Sequence, residues 1–252
     1  MNTNLTAAIV LACLSGAVLF GMALQRLLPE NHLNTETKDT VKLAMGLVAT
    51  MAALLLGLLV SSAKNTYDAE RAQVIQLSAK LTFLDRILSD YGPEAAAIRV
   101  QVRGATEEAI RQIWPEEKAL PPQLITKASA GDTVYFALQR LVPRDDIQSN
   151  LKTQAIALAI EIAQLRALLV AQATPSISKP MLIVVIAWLV AIFLSFSLFA
   201  PPNATASLAL LVAVTSVSGA IFLILELDRP FGGLIALTSE PLLAALNQIT
   251  AP

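Results

Sequence analysis

The chain has 252 residues, of which 55% are hydrophobic and 15% charged, with a net charge of −1 and a mean hydropathy of +0.63. Soluble domains of this length carry more charge and fewer long apolar runs, so the composition points to a bilayer, and the lack of net positive charge removes any electrostatic basis for binding nucleic acid. One cysteine (Cys13) and one histidine (His32) exclude a disulfide framework, cysteine-based zinc sites and two-histidine metal motifs.

The first apolar run, Leu5–Leu24, is long enough to span a bilayer at about 1.5 Å per residue. Met1–Asn4 carry no positive charge, and the run is longer than a signal-peptide core, so a retained membrane helix is expected. A loop follows over Gln25–Thr40. It holds His32, a candidate pH-sensitive group at a pore mouth or simply a solvated side chain. Asn34 or Thr35 is placed to cap the next helix, with Glu36 and Asp39 suited to its positive end.

The second run, Val41–Ala63, has Lys42 at its edge as its one charge. Ala49, Ala53, Gly57 and Ser61 recur every four residues, a small-residue stripe of the kind that lets helices approach closely in lipid. The stripe serves either helix packing or a shared axis. In the second case Thr50 and the run around Leu54 are candidates for a hydrophobic constriction that gates by dewetting.

Residues 64–179 hold 14 of the 18 basic and 13 of the 19 acidic residues, a balance that describes a solvated helical domain. Val74, Leu77, Leu81, Leu84, Leu88 and Tyr91 alternate at spacings of three and four, as do Leu151, Ala155, Leu158, Ile162, Leu165 and Leu169. Both are heptad seams, which pack within one subunit or between subunits. No Gly or Pro separates the first seam from the second membrane run, so one helix is expected to continue out of the bilayer. Gly92-Pro93, Pro115, Pro121-Pro122, Gly131 and Pro143 divide the rest into shorter helices. The second seam is expected to stop before Thr174-Pro175.

Two further apolar runs, Met181–Ala200 and Ala204–Leu225, are joined by Pro-Pro-Asn and contain no charge. The last is broken by Leu225-Glu-Leu-Asp-Arg-Pro-Phe-Gly-Gly233. Glu226 and Asp228 fall at a helix C-terminus, where exposed carbonyls disfavour negative charge, so a basic partner or a cation is expected to offset them. Pro230, Gly232 and Gly233 suit a sharp turn, and Phe231 an anchor for it. Thr238-Ser-Glu-Pro241 begins a short helix, and Leu242, Leu243, Leu246 and Ile249 give it an apolar side suited to a membrane interface.

The reading is all-α: an integral membrane protein with four transmembrane helices and a helical cytoplasmic domain inserted between helices 2 and 3. Residues 1–63 carry helices 1 and 2, residues 64–179 the helical domain, residues 180–226 helices 3 and 4, and residues 227–252 the turn and interfacial helix. Lys64, Arg71, Lys80, Arg166, Lys179 and Arg229 flank one side, against Arg26, Lys38 and Lys42 on the other. That bias puts the helical domain and both termini in the cytoplasm. There is no Gly-x-Gly-x-x-Gly, Walker loop or Gly-x-Ser-x-Gly, so neither an enzyme nor a cofactor site is expected.

Three blocks resemble the bacterial bestrophin-like family: Leu28-Pro-Glu-Asn-His-Leu33, Gly46-Leu-Val-Ala-Thr50 with Ala53–Leu58, and Leu225–Gly233. The resemblance implies a multi-pass protein of the bacterial inner membrane, a homo-oligomer (a pentamer by analogy) and an anion channel that passes inorganic ions. Pro230-Phe231-Gly232 matches the bestrophin turn after the last membrane helix. The acidic run that forms a calcium clasp in bestrophins does not follow it, so no metal site is implied. Two alternatives stand beside this reading: a cation channel using Glu226 and Asp228, and a non-conducting membrane scaffold or adaptor.

Overall fold

A computed structural model describes residues 3–28, 35–114, 130–172 and 179–249. His32 and most of the Leu28–Leu33 block lie outside the described residues. Among these residues the protein is all helical: α1 (Thr3–Leu27), α2 (Thr35–Tyr91), α3 (Ala96–Ile113), α4 (Ala130–Gln139), α5 (Asp146–Gln172), α6 (Lys179–Phe199), α7 (Ala204–Leu227) and α8 (Glu240–Gln248), with a 3-10 turn at Pro93–Ala95. The chain forms two compact units. One comprises Met1–Thr66 and Pro175–Asp228, the other Tyr67–Thr174 and Arg229–Pro252.

The first unit contains four helices long and apolar enough to cross a membrane: α1, α6, α7 and the N-terminal part of α2. Its core joins Val10, Leu14 and Val18 of α1 to Leu59 and Ala63 of α2, Val185, Leu189 and Phe193 of α6, and Val214, Ile221 and Ile224 of α7. Outside this core lie exposed Leu19, Phe20, Ile183, Leu208 and Leu211. Large apolar side chains in this number are stable on an outer surface when the solvent is lipid.

Close approach within this unit depends on Gly21. A β-carbon there would lie 1.9 Å from the Ser197 hydroxyl and 2.8 Å from the Leu194 carbonyl, so α1 seats on α6 only because residue 21 has no side chain. Ser197 is fully buried, and its hydroxyl donates to the Leu194 carbonyl at 3.0 Å. At the far end of α1, Gln25 Nε2 donates to the Ala200 carbonyl at 2.8 Å, satisfying a group left over where α6 stops. Asn203 then caps α7, its side chain accepting from the Ala206 N–H at 2.8 Å.

The second unit is a helical bundle built on the rest of α2. At 57 residues α2 is about 85 Å long, continuing past its apolar part without a break. Val74, Leu77, Leu81, Leu84, Leu88 and Tyr91 are all buried, so the first heptad seam packs within its own chain. In the second seam Ala155 and Leu169 are buried and Leu151, Leu158, Ile162 and Leu165 are half-buried against the same core. Gly92, at φ +112°, ends α2 in a conformation that L side chains rarely adopt, and Pro93 opens the next turn. Arg99 clamps the two sides of this bend: Nε and Nη2 donate to the two carboxylate oxygens of Asp85 at 2.8 and 3.0 Å. That hydrogen bonding raises the guanidinium pKa further above its ordinary value, against the opposing effect of burial.

Candidate functional site

In α2 the residues covered by the first unit are Ala52, Leu59 and Ala63, with Leu55 and Leu56 partly covered. At about 100° per residue, Thr50, Leu54, Gly57 and Ser61 fall within about 40° of one line along the helix, diametrically opposite the covered side. All four are exposed in the chain, as is Ala53, whereas Ala49 is half-buried. A four-residue repeat drifts by about 40° per step, which carries Ala49 and Ala53 off this line and brings Thr50 and Leu54 onto it. The uncovered face therefore combines Thr50, Gly57 and Ser61 with exposed leucines, Leu43 and Leu54 near the line and Leu47 and Leu58 beside it. Thr50 Oγ1 donates to the Leu47 carbonyl at 2.7 Å, so its hydroxyl is satisfied within the helix. A β-carbon at Gly57 would meet nothing within 4 Å, so no group among the described residues approaches the face there.

The corner after α7 is built differently. Glu226 is 2% exposed and Asp228 8% exposed, and α7 has no basic residue in its last turn. Asp228 is the helix C-cap, its N–H donating to the Ile224 carbonyl at 3.2 Å. Both acids, and Arg229, take part in polar interactions within the fold. Beyond them the backbone closes on itself. Gly232 N–H donates to the Arg229 carbonyl at 3.1 Å and Leu237 N–H to that of Pro230 at 2.6 Å, while Gly233 adopts φ +105°. Pro230 is buried, Phe231 half-buried, and Gly232 and Gly233 are exposed.

The segment from this corner to α8 is strapped to the second unit at three points. Trp114 meets Phe231 edge-on, with ring centroids 5.7 Å apart at 77°, and its Nε1 donates to the Leu237 carbonyl at 2.7 Å. Ser78 Oγ donates to the Pro241 carbonyl at 2.5 Å. Arg103 Nη1 donates to the carbonyls of Ile249 at 2.9 Å and Leu246 at 3.4 Å, capping the end of α8. Leu242, Ala245 and Ile249 are buried in the unit's core, leaving Leu243 exposed and Leu246 half-buried. The apolar side expected at a membrane interface is thus largely covered by protein.

Sequence reasoning missed Trp114, Arg103 and the Gly21–Ser197 contact. The first two act on carbonyls more than 120 residues away, which no local pattern reports. Gly21 carried a usable signal, a glycine among large apolar residues of a membrane helix, but its partner on α6 was unmarked.

A family model for the Bestrophin-like domain matches residues 12–242, and the chain belongs to this family. The fold is similar to crystal structures of a bacterial bestrophin homologue from Klebsiella pneumoniae. One variant aligns with a TM-score of 0.69 at 15% identity, covering 97% of this chain and 96% of the homologue. Another gives 0.66 at 16% identity, covering 99% and 96%. No curated protein matches the chain. This is an integral membrane protein with the bestrophin fold.

Proposed function

We propose that the chain is one subunit of an oligomeric ion channel in which the uncovered face of α2 lines the axis. The observation that carries this reading is the separation of faces on α2. Ala52, Leu59 and Ala63 pack inward, while Thr50, Gly57 and Ser61 lie on the opposite side, exposed among the described residues. The leucines of this face suit lipid and protein alike, whereas Gly57 and Ser61 among them give a lipid-facing surface little apolar cover. Small residues and hydroxyls favour close protein contact or water. Copies of α2 around an axis would satisfy that face, and a ring of Leu54 would form a hydrophobic constriction able to gate by dewetting.

The homo-oligomer is a pentamer in this reading, by analogy with bestrophins, set in the bacterial inner membrane. The helical unit Tyr67–Thr174 and both termini lie in the cytoplasm, following the Lys and Arg bias. Anion conduction is the selectivity the family favours. Burial of Glu226 and Asp228 within a single chain speaks against the alternative of a cation-selecting acidic ring, because groups lining a pore must meet its water. Neither an enzymatic role nor a resident cofactor is part of the reading.

The test is the mass of the complex in nanodiscs, followed by halide and potassium flux in liposomes. An oligomer of three or more subunits that passes halide is the expected result. A monomer or dimer without flux would sink the channel reading in favour of the scaffold. Potassium flux abolished by Glu226→Gln in a folded oligomer would reverse the selectivity assignment.

A further inference from the structure

The second unit holds a cavity of about 190 Å³, open on one side, between α2, α3, α4, α5 and α8. Its inner wall is apolar, including the buried Leu77, Leu84 and Leu242. The opposing wall on α5 is set back because Ala159, Ala163 and Ala167 present only methyl groups at successive four-residue steps. Packed interiors leave few voids larger than a water molecule, so a partly open space of this size marks a break in the packing of the unit. Apolar cavities of about 150 Å³ stay dry and admit benzene, which sets the scale of an occupant at about six to ten non-hydrogen atoms.

The polar lining is sparse and of one sign. Thr106 hydroxyl donates to the Val102 carbonyl of its own helix at 2.8 Å, so it makes no demand on an occupant as a donor. Arg166, half-exposed on α5, supplies the cavity's charge, and no carboxylate lines it. Arg166 already engages another group of the protein, but a guanidinium carries five N–H donors and can serve a second acceptor.

We propose that this cavity is a binding site for a small monoanionic amphiphile, a medium-chain carboxylate in chemical class. The hydrocarbon chain lies against Leu77, Leu84 and Leu242, and the carboxylate meets Arg166. The α5 alanines make the room and Arg166 sets the sign of the head group. The site is independent of the channel reading, because it lies within one unit of one chain and its occupancy is measurable without flux.

The test uses the full chain in lipid nanodiscs, titrated with octanoate and with octan-1-ol, with protein-free discs as the blank. Saturable uptake of octanoate at one site per chain is expected. Ala163 and Ala167 line the cavity and are exposed, so larger side chains there narrow it from its open side without displacing the core. Ala163→Phe and, separately, Ala167→Leu should each weaken octanoate binding at least about tenfold while helical content and thermal midpoint stay unchanged. Arg166→Gln should weaken octanoate by about tenfold or more and leave octanol within about twofold. Uptake that scales with disc lipid without saturating would overturn the site, as would unweakened binding by both filled variants. Equal loss of octanoate and octanol in a folded Arg166→Gln chain would overturn the assignment of the anionic head to Arg166.

Discussion

Gly21 and Gly233 show two different reasons for glycine, and each makes a prediction. At Gly21 the reason is space. Gly21→Ala would force α1 away from the Leu194 carbonyl, and overpacking of this kind costs about 1–3 kcal/mol. Thermal unfolding in detergent should show the loss. Adding Ser197→Gly should recover only part of it, since the backbone contact remains. At Gly233 the reason is the backbone. Gly233→Ala forces a side chain to φ +105° and is expected to cost about 1–2 kcal/mol. Gly232 lacks this constraint, and a β-carbon there meets nothing within 4 Å. Gly232→Ala should therefore stay within about 0.5 kcal/mol of the unaltered chain, and equal effects at the two positions would refute the assignment.

The C-terminal part of α2 places a polar group where it has no partner among the described residues. Tyr91 is buried, and its hydroxyl has no hydrogen-bond partner among the described residues, although Gln148 Nε2 donates to its backbone carbonyl at 3.0 Å. An unsatisfied buried hydroxyl costs about 1–3 kcal/mol, so Tyr91→Phe should be neutral or stabilising. Burial, then the charge of Glu94, raises the Tyr91 phenol above its ordinary value of 10.0, with Arg144 opposing. The folded state thus holds this proton more tightly than the unfolded one. The resulting stability is fully present below about pH 10 and is lost as pH climbs toward the folded value. Denaturant midpoints measured between about pH 9 and 11 should fall for the native chain, and Tyr91→Phe should flatten part of that fall. Identical pH profiles would show that Tyr91 does not titrate in this range.

At the scale of the whole molecule, α2 joins the two units as one unbroken helix, with its uncovered face on the membrane-capable part. If that face lines an axis, Leu54→Ala should widen the constriction and raise liposome flux several-fold without changing subunit number. Gly57→Leu should instead obstruct the axis or disturb assembly, read as lost flux or altered mass. Indifference of both flux and mass to the two substitutions would place lipid, and not a pore, over this face. The Pro-Phe-Gly corner is held by packing of another kind. Trp114, Ser78 and Arg103 hold the segment after α7 against the helical unit through the carbonyls of Leu237, Pro241 and Ile249.

Local chemistry was enough to specify the helices. Long apolar runs, the heptad seam from Val74 to Tyr91, the stop at Gly92-Pro93 and the turn at Pro230–Gly233 all follow from short-range periodicity and backbone preference, and the family marker sits in one of them. Which face each helix turns to its neighbours was decided only by the tertiary structure. The four-residue stripe through Ala49 pointed close to the uncovered side of α2 but missed its centre, because helical drift displaces such a stripe and only packing of Ala52, Leu59 and Ala63 defines the opposite side. The acids at Glu226 and Asp228 looked in sequence like groups awaiting an ion, yet the fold encloses and engages both within its own chain. The α8 face that resembled a membrane-interface surface is largely consumed by the bundle, since an apolar side chain buries itself equally well in protein or lipid and sequence cannot distinguish the two. Periodicity reports that a face is apolar or small; only the packed chain decides what covers it.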